Sequence, residues 1–469
     1  MSLSAALNTA VTGLATLQTQ TGILSGNIAN AQTAGYSRKY ATLTTPVAGG
    51  LPQASLVQSV IRTTAPELMK DYYAAAANYG QLTVAADKAR ALTEALDAAD
   101  SSDGQATLQK LLTNFESAVK ALEATPEDTA LKAQVVQRGK ELAAEVNRLA
   151  GLRSSLQAQG QQDIQTGLKT LNDASANIAK LNAQIVSQKA AGNPVGDLED
   201  LRDAEVAKIS GLVGVRTVVS DKGAMTVYSD TGAQLAGTTA QTFSYDATSN
   251  TISNGAGIDL TAGFRTGSLR ANLDYLDDSA AALANPDDNV GTLAKFFNQI
   301  DSLARNIADV VNAAYDDPAT AAAEQIFTYN AADPSGTLAV DAALVATPSG
   351  LNAARMGAVQ QAMRNTTLTA TQVNPAGDPN GLTISSVNIF GLTSGVLAYH
   401  ARLSSETEAN RDTADNLQAV LGEKIASVTG VDVDTELATM QTLQNNYAAL
   451  AQIMTVITQM FDELISIGS

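Results

Sequence analysis

The chain has 469 residues, 29 Lys and Arg against 47 Asp and Glu, and a formal net charge of −18. One histidine, no cysteine and no tryptophan exclude a zinc finger, a Cys/His metal cluster, a cysteine nucleophile and any disulfide. The acid excess argues against nucleic acid as a partner, because phosphate neutralisation needs Lys and Arg, and the length allows roughly two to four domains.

The chain opens without charge: none occurs from Met1 to Ser37. A secretory signal needs a basic start and a continuous apolar core, and this segment has neither, so no cleaved signal peptide is expected. Instead Leu3, Leu7, Ala10, Leu14, Leu17, Thr21, Leu24 and Ile28 recur at alternating steps of four and three, the a/d stripe of a helix that packs on a partner helix. Asn30 and Gly35 are suitable helix stops, glycine because it accepts positive φ. Tyr36 to Thr45 then reads as extended, Pro46, Gly49, Gly50 and Pro52 as a loop, and Leu56 to Thr64 as a short strand.

From Ala65 to about Ala190 the pattern is helical. Thr125-Pro126-Glu127-Asp128 looks like a helix start, with Thr as cap and Pro in the first turn. Leu131, Val135, Leu142, Val146, Leu149, Leu152 and Leu156 suggest one long helix, extended past Gly160 by Ile164, Leu168, Leu171, Ile178, Leu181 and Ile185. Gly192-Asn193-Pro194 ends it, and a shorter helix follows through Asp197 to Gly214. Residues 215–257 are rich in Val, Thr, Tyr, Gly, Ser and Asn, with turn signals at Asp221-Lys222-Gly223 and Asp230-Thr231-Gly232, and read as a β-meander. Helix returns over Gly267–Tyr315. Residues 316–390 lack a readable period, and Thr371–Gly381 reads as a loop. Ser394–Ser427 is helical and Thr429-Gly430 breaks it.

The last segment carries the cleanest signal. Met440, Leu443, Tyr447, Leu450, Met454, Ile457, Phe461 and Leu464 are spaced 3, 4, 3, 4, 3, 4, 3, and no charge falls between Leu437 and Phe461. Gln441, Gln444, Asn445, Asn446, Gln452 and Gln459 make it too polar for a lipid-facing helix, so no membrane insertion is expected. Free two-stranded coils set register with flanking Glu and Lys; here Ser, Thr, Asn and Gln take those places and allow packing on further chains without burying unpaired charge.

The expected fold is mainly α with a β insert, elongated and multi-domain. A coiled-coil-like terminal domain (1–45 and 430–469) joins a helical-bundle middle domain (46–212 and 391–429). A small β-rich outer domain (213–265) and a return segment with a poorly readable loop region (266–390) complete it.

Nothing supports catalysis. Gly139-Lys140 lacks the rest of a P-loop, and no strand is followed by a GxGxxG. Asp432-Val433-Asp434-Thr435-Glu436 resembles the start of an EF-hand, but Leu437 and Leu443 stand where its Gly and closing Glu belong; it reads as an acid cluster facing a helix dipole. Asp287-Asp288 and Asp316-Asp317 read as solvated turns and His400 as a packed histidine. No catalytic, cofactor-binding or metal residue is assigned.

The run Asn27-Ile28-Ala29-Asn30, followed by Thr33, Gly35, Tyr36 and Arg38, closely resembles the N-terminal signature of the bacterial flagellar rod, hook and hook-associated axial proteins. Residues 430–467 look like the matching C-terminal helix. Asp200-Leu201-Arg202-Asp203, after more than a hundred helical residues, is similar to a segment of the family's hook–filament junction member, and the shorter length implies a reduced or missing outer β domain. This resemblance implies a structural adaptor, exported unfolded through the type III channel and located outside the cell in the flagellum. Its implied partners are copies of itself in a ring, the hook protein, the next junction protein, and an export chaperone on the C-terminal region. A hook or distal rod protein, or another type III-secreted coiled-coil protein, are the alternatives.

Overall fold

A computed structural model describes residues 3–48, 51–52, 54–97, 107–318, 324–375 and 379–468. Helix α1 (Leu3–Ala29) is followed by strands β1 (Lys39–Thr44), β2 (Val47–Ala48), β3 (Leu51–Pro52) and β4 (Leu56–Arg62). β1 and β4 form an antiparallel hairpin from Lys39↔Arg62 to Thr44↔Leu56, with a register shift at Thr42/Leu43. The hairpin therefore continues beyond residue 45, and it lies on α1, where Thr16 Oγ1 donates to the Ser55 carbonyl at 2.7 Å. The loop glycines Gly49 and Gly50 lie outside the described residues.

The body begins with α2 (Pro66–Asp97), α3 (Thr107–Ala124), α4 (Thr129–Gly151), α5 (Arg153–Ala190) and α6 (Gly196–Leu212). The helix expected from Thr125 starts later. Asp128 is its cap, with Oδ1 accepting from the N–H groups of Ala130 (2.8 Å) and Leu131 (3.3 Å), while Thr125 closes the preceding helix through its N–H to Leu122 O. An Asp caps at least as well as a Thr, which leaves Pro126-Glu127 in the turn. The single long helix is also two, broken at Leu152. Gly160 lies within α5, where it lets Leu276 pack close: a Cβ there would lie 2.9 Å from Leu276 Cδ2.

Strands β5 (Val215–Val219), β6 (Met225–Ser229) and β7 (Gln234–Ala236) make one antiparallel sheet; β8 (Phe243–Asp246) and β9 (Thr251–Asn254) make a second. Their turns use Gly223 (φ 91°) and Gly232 (φ 95°) in the left-handed region, as the Asp-x-Gly signals required. The return path comprises α7 (Ser268–Leu276), α8 (Ala280–Leu283), α9 (Thr292–Tyr315), β10 (Phe327–Thr328), α10 (Pro334–Thr337), β11 (Ala339–Val340), α11 (Ala342–Ala346), α12 (Met356–Asn365) and α13 (Ala370–Val373). Helices α14 (Ile389–Thr429) and α15 (Val433–Gly468) end it, separated by Gly430.

Two cores hold the body. One gathers Leu92, Leu112, Phe115, Leu142, Phe296 and Leu392 from α2, α3, α4, α9 and α14. The other packs Ile164, Leu171 and Ile178 of α5 and Ile209 of α6 against Val227, Leu235 and Phe264, so the β strands share a core with α5 and α6. α14 returns along α2, and α15 along α1. At the α2–α6 crossing the backbones nearly touch: a Cβ on Gly80 would sit 2.2 Å from Gly211 O. Chain ends are thus paired outermost, as the nested helical pattern required.

Candidate functional site

The terminal unit consists of α1, the hairpin and α15. Its seam cluster is small: Leu17, Leu24 and Leu443 are buried, with Met440 and Leu450 packed against them. Ile457 and Ala10 are buried further along. Of the other seam positions, Leu3, Leu7, Leu14, Ile28, Met454 and Phe461 are half-buried, and Tyr447 and Leu464 are exposed. Two helices cover only one side of each other, so a stripe at the edge of that contact stays open.

The signature after Leu24 divides into two tasks. Asn30, Thr33 and Gly35 shape the turn. Asn30 Nδ2 donates to Gly26 O at 2.9 Å, Thr33 Oγ1 donates to Asn30 Oδ1 at 3.4 Å, and Gly35 has φ 78°. Asn27, Tyr36 and Arg38 tie the elements together. Asn27 is fully buried; its Nδ2 donates to Lys39 O (2.8 Å) and to Glu436 Oε2 (3.3 Å). Its Oδ1 accepts from the Lys39 N–H (3.0 Å) and from Tyr36 Oη (3.1 Å). Arg38 Nε pairs with Glu436 Oε1, and the Arg38 N–H donates to Thr429 O at 2.7 Å. One asparagine therefore reads helix, strand and C-terminal helix together.

Several partners of this network were not singled out by sequence. Glu436 belongs to the acid cluster read as a dipole group. In fact Asp432 is the acid at the helix start, accepting from the Asp434 and Thr435 N–H groups and from Thr435 Oγ1. Those hydrogen bonds hold its carboxyl below the usual range. Glu436 is buried under Arg38. The available signal was charge: Arg38 is the first charged residue of the chain and needs an acid from the opposite end. Lys39, also buried, spans Asp197 (2.8 Å) and Asp200 (2.9 Å) of α6 with its Nζ over the Tyr36 ring, 3.5 Å from the centroid. Burial lowers its pKa, and the bonds to the two carboxylates reverse this, so the net shift is upward. Burial likewise raises Tyr36.

α15 has a second apolar face. Ile453, Val456 and Met460, at spacings of three and four, form one stripe and are each about half exposed, whereas Leu437 and Ile465, also exposed, lie on the other side of the helix. Among the described helices, the one window long and apolar enough to cross a bilayer falls in Ile389–Ser466, and only 6% of it is buried. Gln452, Thr455, Thr458 and Gln459 are exposed among these apolar residues, a mixture suited to packing on protein.

No group of three His, Asp or Glu side chains able to hold a metal occurs among the described residues. His400 is enclosed between Phe296 and Tyr399, with Nε2 2.8 Å from Gln299 Oε1. Asp288 accepts from Tyr399 Oη at 2.8 Å and pairs with Arg402. Asp287 accepts the Asn289 N–H at 3.0 Å.

Two family models match parts of this chain. Residues 94–324 match the family model described as the flagellar hook-associated protein FlgK helical domain. Residues 7–36 match the flagella basal body rod protein model. The chain is 21% identical to flagellar hook-associated protein 1 of Bacillus subtilis over 504 residues, covering 98% of this chain and 97% of that one. It is 28% identical to flagellar hook-associated protein 1 of Salmonella typhimurium over 235 residues, covering 47% of this chain and 40% of the relative. A solved flagellar hook junction protein FlgK from Burkholderia pseudomallei aligns with a TM-score of 0.44 at 19% identity, over 56% of this chain and 47% of that one.

Proposed function

We propose that this chain is a flagellar hook-associated protein, a structural component of the flagellum that joins hook to filament, as its matches to that family's models and relatives support. On this reading it is exported unfolded through the type III channel and then assembles into a ring outside the cell. The paired terminal helices line the inner tube and the body faces outward. Its neighbours are further copies of itself, the hook protein on one side and the next junction protein on the other, and an export chaperone receives the C-terminal region before export.

The observation that carries this reading is the double-faced α15. One face closes on α1, and the other leaves Ile453, Val456 and Met460 bare. Each is about half exposed, so completing its burial contributes roughly half of the 1.5–3 kcal/mol of a fully exposed side chain, and a row of them on a free helix favours a neighbour without charges to desolvate. The signature residues Asn27, Asn30, Thr33, Gly35, Tyr36 and Arg38 serve this reading by fixing α1, hairpin and α15 as one unit.

Lysine at Ile453, Val456 and Met460 together tests it. The three side chains are solvent-facing in the monomer, so the purified variant keeps the parent's helicity and melting temperature. Supplied to cells lacking the parent chain, it is exported but restores no filaments. Filaments restored to normal number and length would remove this face from the assembly surface.

A further inference from the structure

No buried apolar cluster crosses from the terminal unit to the body among the described residues; the terminal cluster contains only α1 and α15 side chains. The chain passes between the two regions twice, at Thr63–Ala65 and at Gly430–Asp432. Polar groups therefore carry the orientation of one on the other.

Those groups are concentrated at the base of the hairpin. Lys39 and Arg62 are cross-strand partners, and residues 40–61 between them carry no charge. Both cations reach the first two turns of α6. Arg62 Nε lies 3.0 Å from Glu199 Oε2, Nη1 2.9 Å from Asp200 Oδ1 and Nη2 2.7 Å from Asp203 Oδ2. Lys39 holds Asp197 and the other oxygen of Asp200. Two cations thus meet four acids, with Asp200 shared. These side chains are mostly 10–23% exposed, Asp197 excepted at 80%, so solvent screens them little. Next to the cluster lies a cavity of about 790 Å³ between the Ala31–Ser37 turn, the start of α2, α6 and Gly430. Its wall includes buried Arg202 and Asp203, whose Nε and Oδ1 make no hydrogen bond and face each other as an ion pair at 3.7 Å.

We infer that this cluster is a latch: the acids of α6 grip Lys39 and Arg62 and set one angle between terminal unit and body, and the adjoining cavity gives the unit room to swing when the grip is lost. The latch is a property of the single chain. Its use, presenting every terminal unit to its neighbours at one angle so that less orientational freedom is lost on assembly, rests on the axial reading above.

The absence of cysteine permits paired spin labels at chosen sites. Exposed Gln444 on α15 and exposed Ser187 on α5 report the angle; Ser187 with exposed Gln134 on α4 reports the body alone. The parent gives one narrow distance for each pair. Arg62→Gln and the double variant Asp200→Asn/Asp203→Asn lose the narrow 187–444 distance and keep the 134–187 distance, while Arg62→Lys lies between. Lys169→Gln, which breaks the exposed Lys169–Asp173 pair, changes neither. If Arg62→Gln fails to fold, Glu199→Gln/Asp203→Asn gives the same reading with Lys39 still paired to Asp200. A 187–444 distance that stays narrow in folded variants, or is already broad in the parent, overturns the latch, as does loosening of both pairs together. Normal flagella built from an unlatched variant would overturn the latch's use in assembly and leave the latch itself intact.

Discussion

Replacing Asn27 by alanine removes the one side chain that binds α1, β1 and α15 at once. Alanine leaves the N–H and C=O of Lys39, now bonded at 3.0 and 2.8 Å, facing a buried site without partners. Tyr36 Oη is half-exposed and turns to water. Each orphaned buried group costs about 1–3 kcal/mol, so the docking of β1 on α1 loses about 2–6 kcal/mol. Hydrogen exchange reads this directly, because the Lys39 amide is protected by Asn27 and by nothing in β4: its exchange accelerates by roughly one and a half to four powers of ten. Amides in α4 and α9 belong to a separate core and keep their protection. Asn27→Asp retains an acceptor for Lys39 N–H but sets a second carboxylate 3.3 Å from Glu436 Oε2, and it also accelerates exchange. Unchanged protection at Lys39 in both variants would refute the role assigned to Asn27.

Two further predictions concern the body. Burial lowers His400 to about 3, with Asp288 opposing, so the fold holds a neutral ring. Below the ordinary value of about 6.5 the unfolded chain takes up a proton that the folded chain refuses, and this site's contribution to stability therefore falls by about 1.4 kcal/mol per pH unit from there toward pH 3. An NMR titration of the single histidine shows no midpoint between pH 5 and 8 (the range in which a free imidazole titrates); a midpoint near 6.5 would contradict the packing described. Gly80→Ala places a methyl against the Gly211 carbonyl, which only a backbone shift relieves. Thermal melting should show a loss of about 1–3 kcal/mol, whereas alanine at Gly151, which meets nothing, leaves the melting temperature unchanged or raises it.

Legibility in the sequence followed the reach of the interactions. α1 and α15 were readable because one helix face repeats a single contact over about seven turns. The first three strands of the β region were readable because both turns between them are fixed locally by an Asp-x-Gly. Residues 316–390 were opaque because their elements are too short to show a period and are held from outside. A polar face of α9 supplies the bonds: Asn298 to Pro379 O, Gln299 to Asn380 O, Ser302 to Val373 O, Asn306 to Gln372 O, and Asn312 to Phe327 O. In the terminal unit, the signature residues stood out as a motif, but Glu436 did not, since its partner Arg38 lies 398 positions away. The acids of α6 were visible as a run of charge. That they grip Lys39 and Arg62 follows only from the fold.

The proposed role, joining hook to filament, has a direct test in the cell. Deleting its gene in the parent bacterium and imaging the cells by electron microscopy tests that most directly. A junction adaptor leaves complete hooks that carry no filaments, with flagellin lost to the medium. Cells without hooks would move the chain to the hook or distal rod, and cells with normal filaments would contradict the claim outright.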